Sequence, residues 1–237
     1  MALLDDFDLP SIKATYRANL PTPVDVLNLI HFKDEQAYKW YGVAVMPVLK
    51  TVGAEVGWMG RHVQSFLGEP RAEELLVVRY PNQRRFLALA LNPYYLAIAN
   101  PQRLKAVRKF EASFTHSPDS LEALRRSKWV LVVHFDENPE AVRGILEAAG
   151  AQKAYESVET SPITITKGVH PANTNPLEFK RTAMFRFESK ESCRAAMQPA
   201  VLGELEQATG RVSVQLYERI PRKEALPAPV SKLLARR

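Results

Sequence analysis

The chain has 237 residues, 46% of them hydrophobic, and a formal net charge of +6. This length suffices for two domains of roughly 100 residues, and no run of about 18 apolar residues predicts a transmembrane span. A single cysteine, Cys193, excludes an internal disulfide and any multi-cysteine metal site. It lies in a helical pattern that favours a buried structural thiol. The start, MALLDDFDLP, lacks the basic-then-apolar pattern of an export signal, which predicts a cytoplasmic protein.

The first half predicts one βαββαβ unit. Residues 1–23 form a leader punctuated by prolines, and the unit itself spans 24–116. Its elements are predicted as a strand over 24–32, a helix over 34–54, strands over 55–68 and 73–81, a helical region over 82–106 interrupted at Asn92-Pro93, and a strand over 107–114. Apolar residues at spacings of three and four support the first helix, in which Pro47 predicts a kink or a split into two helices.

The second half predicts the same order of elements. A linker over 117–127 leads to a second unit over 128–221, followed by a basic, proline-containing tail over 222–237. This tail holds five Lys or Arg residues against one Glu, so it accounts for much of the net charge. Such a short basic tail is typical of a solvated terminus and less often of an interaction arm.

Two sequence matches indicate an internal duplication. His31-Phe32 aligns with His134-Phe135, and Arg79-Tyr80 aligns with Arg186-Phe187, in the same order and at similar offsets. Sequence matches of this kind indicate that the chain contains two copies of one structural unit. We therefore predict an α+β fold in which two tandem ferredoxin-like units pack sheet to sheet as an intramolecular α/β barrel. The space between the sheets is then the expected ligand pocket.

The first half also resembles a known family. The residues that carry the resemblance are Leu27-Asn28-Leu29, Tyr38, Tyr41, Tyr80-Pro81-Asn82, Asn92-Pro93-Tyr94-Tyr95 and Arg103. Over residues 24–116 they resemble a domain-of-unknown-function family of the dimeric α/β-barrel superfamily. Asn82 replaces the family's usual serine, and Asn100-Pro101-Gln102 stands where relatives often have histidines. The second half resembles only the superfamily. Leu131 is the counterpart of Asn28 there, which predicts one asymmetric site.

Two polar groups are expected inside the barrel. Asn28 is predicted to bind a ligand carbonyl or hydroxyl, or else to link neighbouring strands by hydrogen bonds. Arg79 and Arg186 are predicted to face the inter-sheet space and attract a carboxylate, enolate or phenolate. The alternative for the arginines is an ion pair across the sheet with Glu111, Glu55 or Glu218.

Proton transfer is assigned first to His62, because an unperturbed imidazole titrates near neutrality. Tyr41 is the second candidate for moving a proton, and Arg79 or Arg61 for stabilising an oxyanion. His31 and His134, as repeat equivalents, favour a structural role. Other expected substrate-binding residues are Trp58 and Phe32 as pocket walls, with Tyr95 and Arg103 added by the family resemblance.

Several classes of site lack their sequence signature. There is no HExxH, CxxC, GxSxG, P-loop or dinucleotide glycine motif, so we predict neither a metal nor another cofactor. Haem bound by one of the scattered histidines stays open. The third strand, LLVVRYP, lacks the aromatic pattern of RNA-recognition modules, which argues against nucleic acid as a partner.

Three functions are compatible with this pattern. The first is a cofactor-independent enzyme of the isomerase, cyclase, dehydratase or oxygenase type, acting on a small, partly apolar, oxygenated substrate. The second is a non-catalytic protein that binds or senses a small molecule. The third is a structural assembly protein. The predicted quaternary state is a monomeric barrel or a homodimer of barrels.

Overall fold

The computed structural model describes residues 7–163, 165 and 174–234, and these form an α+β fold. The elements are α1 (Leu9–Arg17), β1 (Val24–Phe32), α2 (Glu35–Thr51), β2 (Glu55–Leu67), β3 (Glu74–Tyr80), α3 (Gln83–Ala90), a π-helical turn (Tyr95–Ala99), α4 (Asn100–Ala106), β4 (Val107–Thr115), α5 (Glu122–Arg126), β5 (Trp129–Phe135), α6 (Pro139–Ala148), β6 (Gln152–Glu156), β7 (Ser161–Pro162), β8 (Thr174–Asn175), β9 (Arg181–Phe187), α7 (Lys190–Ala196), α8 (Pro199–Thr209), β10 (Val212–Arg219) and α9 (Ala228–Leu234).

Each half forms an antiparallel four-stranded sheet. The first has the order β2-β3-β1-β4 and the second the order β6-β9-β5-β10. In both, the first and third strands of the unit lie at the centre, which is the ferredoxin-like order. The predicted fold of two tandem ferredoxin-like units is confirmed.

The two sheets join along both edges. On one side β10 pairs antiparallel with β2, and on the other β7 pairs with β4. Between β6 and β7, Ser157 N donates to Thr182 O of β9, and Val158 N donates to His116 O beyond β4, both at 2.8 Å. This segment therefore hydrogen-bonds to both sheets and closes the barrel. Closure removes the open strand edges that would otherwise pair with other chains.

The interior of the barrel is a packed core. Inward-facing side chains of both sheets pack together there. Leu121 and Leu124, from the segment predicted to be a linker, pack among them. The other members of this core are Leu27, Leu29, Trp58, Ala72, Leu75, Val77, Val130, Val132, Ala154, Tyr155, Leu177, Met184 and Tyr217. The expected ligand pocket between the sheets is therefore replaced by packed side chains. Two pockets stand out on the described residues, and both lie outside the barrel.

A second core lies under the helices of each unit. The core of the second unit is apolar and contains Cys193, whose burial was predicted and raises its thiol pKa to about 12. In the first unit α2 is one helix through Pro47, and its N-cap is Asp34, whose carboxylate accepts from Ala37 N. Asn82 caps α3 by accepting from Arg85 N at 3.1 Å.

Gly60 is required by the packing of Trp58. A Cβ at this position would overlap the six-membered ring of the Trp58 indole, which lies across the Gly60 backbone inside the barrel. Because Trp58 is itself 3% exposed, the ring has no open space to enter. We expect Gly60→Ala to lower the free energy of unfolding by about 1–3 kcal/mol, as overpacked cores do. Urea denaturation measures this, and Gly144→Ala, where a Cβ meets nothing within 4 Å, is the matched control.

Candidate functional site

Asn28 lies under the helices of the first unit. Strand alternation places Leu27 and Leu29 in the barrel, and Asn28 on the opposite face with Val26 and Ile30. The prediction that Asn28 points into the barrel is therefore wrong. Its amide nitrogen donates to Val26 O and Leu76 O, both at 3.0 Å, which agrees with the strand-linking alternative. No donor to its side-chain oxygen is found among the described residues.

Two tyrosines of α2 pack above this strand. Tyr38 and Tyr41 are one turn apart, with ring centroids separated by 5.2 Å, and Phe32 stands 5.0 Å from Tyr38. Burial raises the pKa of both tyrosine hydroxyls well above the ordinary value. Both phenols therefore stay protonated at neutral pH and can donate hydrogen bonds.

The interrupted helix after β3 supplies a third tyrosine. Asn92 Oδ1 accepts from Tyr94 N at 2.9 Å and from Tyr95 N at 3.2 Å. The π-helical turn starts at Tyr95, and wide turns of this kind are frequent at functional sites. The Tyr95 side chain reaches Tyr41 and contributes to the raised pKa of that hydroxyl.

Arg103 brings a positive charge to the same cluster. Its side chain is held by Asn100 Oδ1, which accepts from Nε at 3.1 Å, and it stacks on Phe110 at 4.8 Å from the ring centroid. The residue is 5% exposed. Its charge opposes the rise in pKa of Tyr38 and Tyr41. Asn100 therefore positions the arginine.

Glu74 is the member of this cluster that sequence reasoning missed. It is 6% exposed, and its Oε1 atom has no hydrogen-bond partner among the residues that the structure describes. Burial, with a smaller contribution from Glu35, raises the pKa of Glu74 to about 8 against the ordinary 4.5, and Arg61 and Lys39 oppose the rise. Its negative charge also raises the pKa of Tyr38. The sequence carried part of the signal, because Glu74 alternates with Leu75 and so falls on the opposite face of β3, but only the structure shows that the helices cover this face.

Arg79 and Arg186 do not form a shared anion site. Arg79 makes a two-pronged ion pair with Asp25, Nε to Oδ1 at 2.7 Å and a terminal nitrogen to Oδ2 at 2.9 Å. Asp25 is completely buried and also accepts from the Tyr155 hydroxyl at 3.2 Å. An ion-pair alternative was foreseen for Arg79, but with other carboxylates.

The two arginines also differ in register. Arg79 lies opposite Asp25, whereas Arg186 lies opposite Val130 and is exposed. When His31 is matched with His134, the counterpart of Asp25 is Lys128. Arg186 therefore lies two residues along the strand from the position that corresponds structurally to Arg79, so the two arginines are not equivalent positions of the repeat.

Other predicted site residues lie apart from the cluster. His62 Nε2 is 3.1 Å from Ser65 Oγ, and its ring stands edge-on to Tyr217 in the barrel. Because it occupies the opposite sheet face from Glu74, His62 is separated from the tyrosines by the sheet. Trp58 is a barrel core residue, so it lines no pocket. Arg61 pairs with Glu35 at 2.9 Å and borders the cluster.

The remaining histidines have local roles. His31 Nε2 is 3.0 Å from Arg71 O, and His116 Nδ1 is 2.8 Å from Pro23 O. His134 is fully buried, with Nδ1 2.8 Å from Thr182 Oγ1, and burial lowers its pKa to about 3. His170 lies outside the described residues. Within the described part of the chain, no three His, Cys, Asp or Glu side chains are grouped as a metal site, and no helix is long and apolar enough to span a membrane.

A cleft opens between α2 and α4 on the outer side of the cluster. It has a volume of about 350 Å³ and is lined by Ala37, Trp40, Gln102 and Lys105. Ala37 lies one helical turn before Tyr41 on α2, and none of the tyrosines of the cluster lines the cleft. The cleft is largely open to solvent, so a ligand there would lie against its walls without being enclosed.

Comparison with known proteins adds little to this geometry. No family model matches the sequence, and no curated protein matches it. Similar solved structures include a protein of unknown function from Rhodopseudomonas palustris, 25% identical over 44% of this chain and 88% of that one, with a TM-score of 0.39. An anthrone oxidase-like protein is 11% identical over 85% of this chain and 92% of that one, with a TM-score of 0.49.

A mutant chlorite dismutase from Candidatus Nitrospira defluvii is 9% identical over 87% of this chain and 95% of that one, also with a TM-score of 0.49. These three scores lie below 0.5. The likenesses therefore carry no argument about chemistry, and the fold assignment rests on the strand order itself.

Proposed function

We propose that the first unit is an enzyme that transfers a proton on a small, partly apolar, oxygenated substrate, in a reaction of the isomerase or dehydratase type. The site is the cluster of Asn28, Tyr38, Tyr41, Glu74, Tyr95 and Arg103, which we name the tyrosine–glutamate cluster. The family resemblance over residues 24–116 supports this placement, because five of its motif residues belong to the proposed site: Asn28, Tyr38, Tyr41, Tyr95 and Arg103.

The observation that carries the proposal is the state of Glu74. A carboxyl group with a pKa of about 8 is mostly protonated at pH 7 and ionises as the pH rises through about 8. General acid–base catalysis works best when the catalytic pKa lies near the working pH. The buried Oε1 atom has no hydrogen-bond partner among the described residues, so this oxygen keeps its hydrogen-bonding capacity for a substrate.

The other residues supply charge and hydrogen bonds. Proton removal next to a carbonyl creates an enolate, and Arg103 is the cation of the cluster that would stabilise it. Protonated tyrosine hydroxyls at Tyr38 and Tyr41 would donate to the same oxygen. Burial strengthens these interactions, because the local dielectric is lower than that of water.

The alternative function is non-catalytic binding of a small molecule at the same cluster. It is favoured by the Tyr38 and Tyr41 hydroxyls, which burial keeps in their donating form. A binding protein would use these donors and Arg103 without needing Glu74 to exchange a proton. The two functions therefore differ in whether Glu74 is required for turnover.

Hydrogen–deuterium exchange tests the proposal. We expect the protein to accelerate exchange at the carbon next to the carbonyl in a panel of small ketones, including cyclohexanone and acetophenone, in heavy water. Glu74→Gln should slow this exchange by about 10²–10⁴-fold, the usual contribution of a general acid or base. If Glu74 acts as the base, the rate should rise as the pH passes about 8. Proton NMR of the ketones measures the rate.

Glu73→Gln is the matched control, since Glu73 is the neighbouring carboxylate with a side chain 47% exposed. The Glu73→Gln variant should catalyse hydrogen–deuterium exchange of the ketones at the wild-type rate. The proposal fails if Glu74→Gln exchanges them as fast as wild type, or if wild type exchanges none of them.

A further inference from the structure

We infer that the cleft between α2 and α4 binds a small planar aromatic carboxylate, with benzoate as the simplest member of the class. This inference goes beyond the proposed function, because the four residues that line the cleft are not members of the tyrosine–glutamate cluster. It is argued from the four lining residues of the cleft, which divide into an apolar wall and a polar wall.

The apolar wall belongs to α2. Trp40 is 48% exposed at the cleft, whereas Trp58 of the barrel core is 3% exposed. Ala37, one turn earlier, is small enough to leave the indole accessible along the cleft. An exposed indole beside a small residue offers a flat surface for stacking, and aromatic pairs in offset arrangements gain about 0.5–1.5 kcal/mol beyond their buried area.

The polar wall belongs to α4. Gln102 and Lys105 are three residues apart and so lie on the same side of the helix. Lys105 is exposed, and among the described residues no carboxylate lies within ion-pair distance of its ammonium group. The nearby acid of α2, Glu35, already pairs with Lys39 and Arg61. The cleft therefore presents a cation and an amide without a competing anion.

A ligand that satisfies both walls must be flat and apolar on one side and anionic on the other. An aromatic carboxylate places its ring on Trp40 and its two oxygens toward the Lys105 ammonium and the Gln102 amide. A saturated acid lacks the stacking surface, and a neutral arene leaves the ammonium group without a partner. These two ligand types are the comparison compounds of the test.

The experiment is isothermal titration calorimetry of the full chain with benzoate, cyclohexanecarboxylate and benzyl alcohol. We expect benzoate to bind at least tenfold more tightly than either comparison compound. Lys105→Gln should weaken benzoate binding by about tenfold or more, consistent with a charge-assisted hydrogen bond. Trp40→Ala should also weaken it, whereas Lys50→Gln, at an exposed lysine near the other end of α2, should leave it unchanged.

The two proposals fail separately. Glu74→Gln should bind benzoate as wild type does, since Glu74 does not line the cleft. If benzoate binds no better than cyclohexanecarboxylate or benzyl alcohol, or if Lys105→Gln binds it unchanged, the ligand class is wrong even when ketone exchange is seen. If benzoate binds as described but ketone exchange is absent, the ligand class stands and the proton-transfer function fails.

Discussion

Replacing Arg79 with leucine is expected to destabilise the protein by about 3–5 kcal/mol, the usual result of breaking a buried ion pair. Asp25 is completely buried, and Arg79 supplies two of its hydrogen bonds. Without the guanidinium, the carboxylate keeps only the Tyr155 hydroxyl among its side-chain donors in the described structure. The charge is then left in the core without compensation. Urea denaturation at neutral pH measures the loss.

Two variants check the cause of this loss. Arg186→Leu removes the exposed arginine of β9 and should change the free energy of unfolding by less than about 0.5 kcal/mol, as surface substitutions usually do. The double variant Asp25→Leu with Arg79→Leu removes both charges and should be more stable than Arg79→Leu alone. A double variant as unstable as the single one would contradict the ion-pair account.

Replacing Glu74 with glutamine is expected to stabilise the protein in alkaline solution and to change little in acid. The pKa of Glu74 is raised from 4.5 to about 8, so the folded state holds a proton that the unfolded state has released in this interval. The wild-type protein therefore loses stability as the pH rises from about 4.5 to 8, and glutamine removes this loss. The stabilisation by Glu74→Gln should be larger at pH 8 than at pH 5 by on the order of 3 kcal/mol.

Denaturation of both proteins across this pH range gives the comparison, with Glu73→Gln as the control for removing one carboxylate from the same turn. The control should follow the wild-type pH dependence. A Glu74→Gln curve parallel to wild type would mean that Glu74 is ionised in the folded protein at neutral pH, and it would remove the main support for the proton-transfer proposal.

The order of elements follows from the sequence because it depends on local periodicity. In Val24–Phe32 successive side chains point to opposite faces, as in a strand, and the helices carry apolar residues at spacings of three and four. Neither pattern needs distant contacts to be recognised. Pro47 is the local exception. Pro47 was expected to kink α2 or to split it in two; the structure has one helix through this exposed position, so the split is wrong and the kink stays a prediction.

The candidate site was predictable only in part, because each sheet has two faces and the alternation does not say which one is the barrel. Tyr41, Tyr95 and Arg103 were singled out, and they do meet. Asn28 was also singled out, and its amide bonds to the backbone oxygens of Val26 and Leu76. These residues lie under the helices, however, since Leu27 and Leu29 take the inward positions on β1.

The sequence by itself determined the two ferredoxin-like units and their sheet-to-sheet packing, since one apolar sheet face in each half must be buried against something. Only the tertiary structure decided what fills the barrel. Leu121 and Leu124 arrive there from the segment between the units, and no local pattern reports such a distant contact. The tertiary structure also decided the pKa of Glu74. That pKa is raised because water is removed when α2 packs over β3, and the sequence of the strand alone does not show this burial.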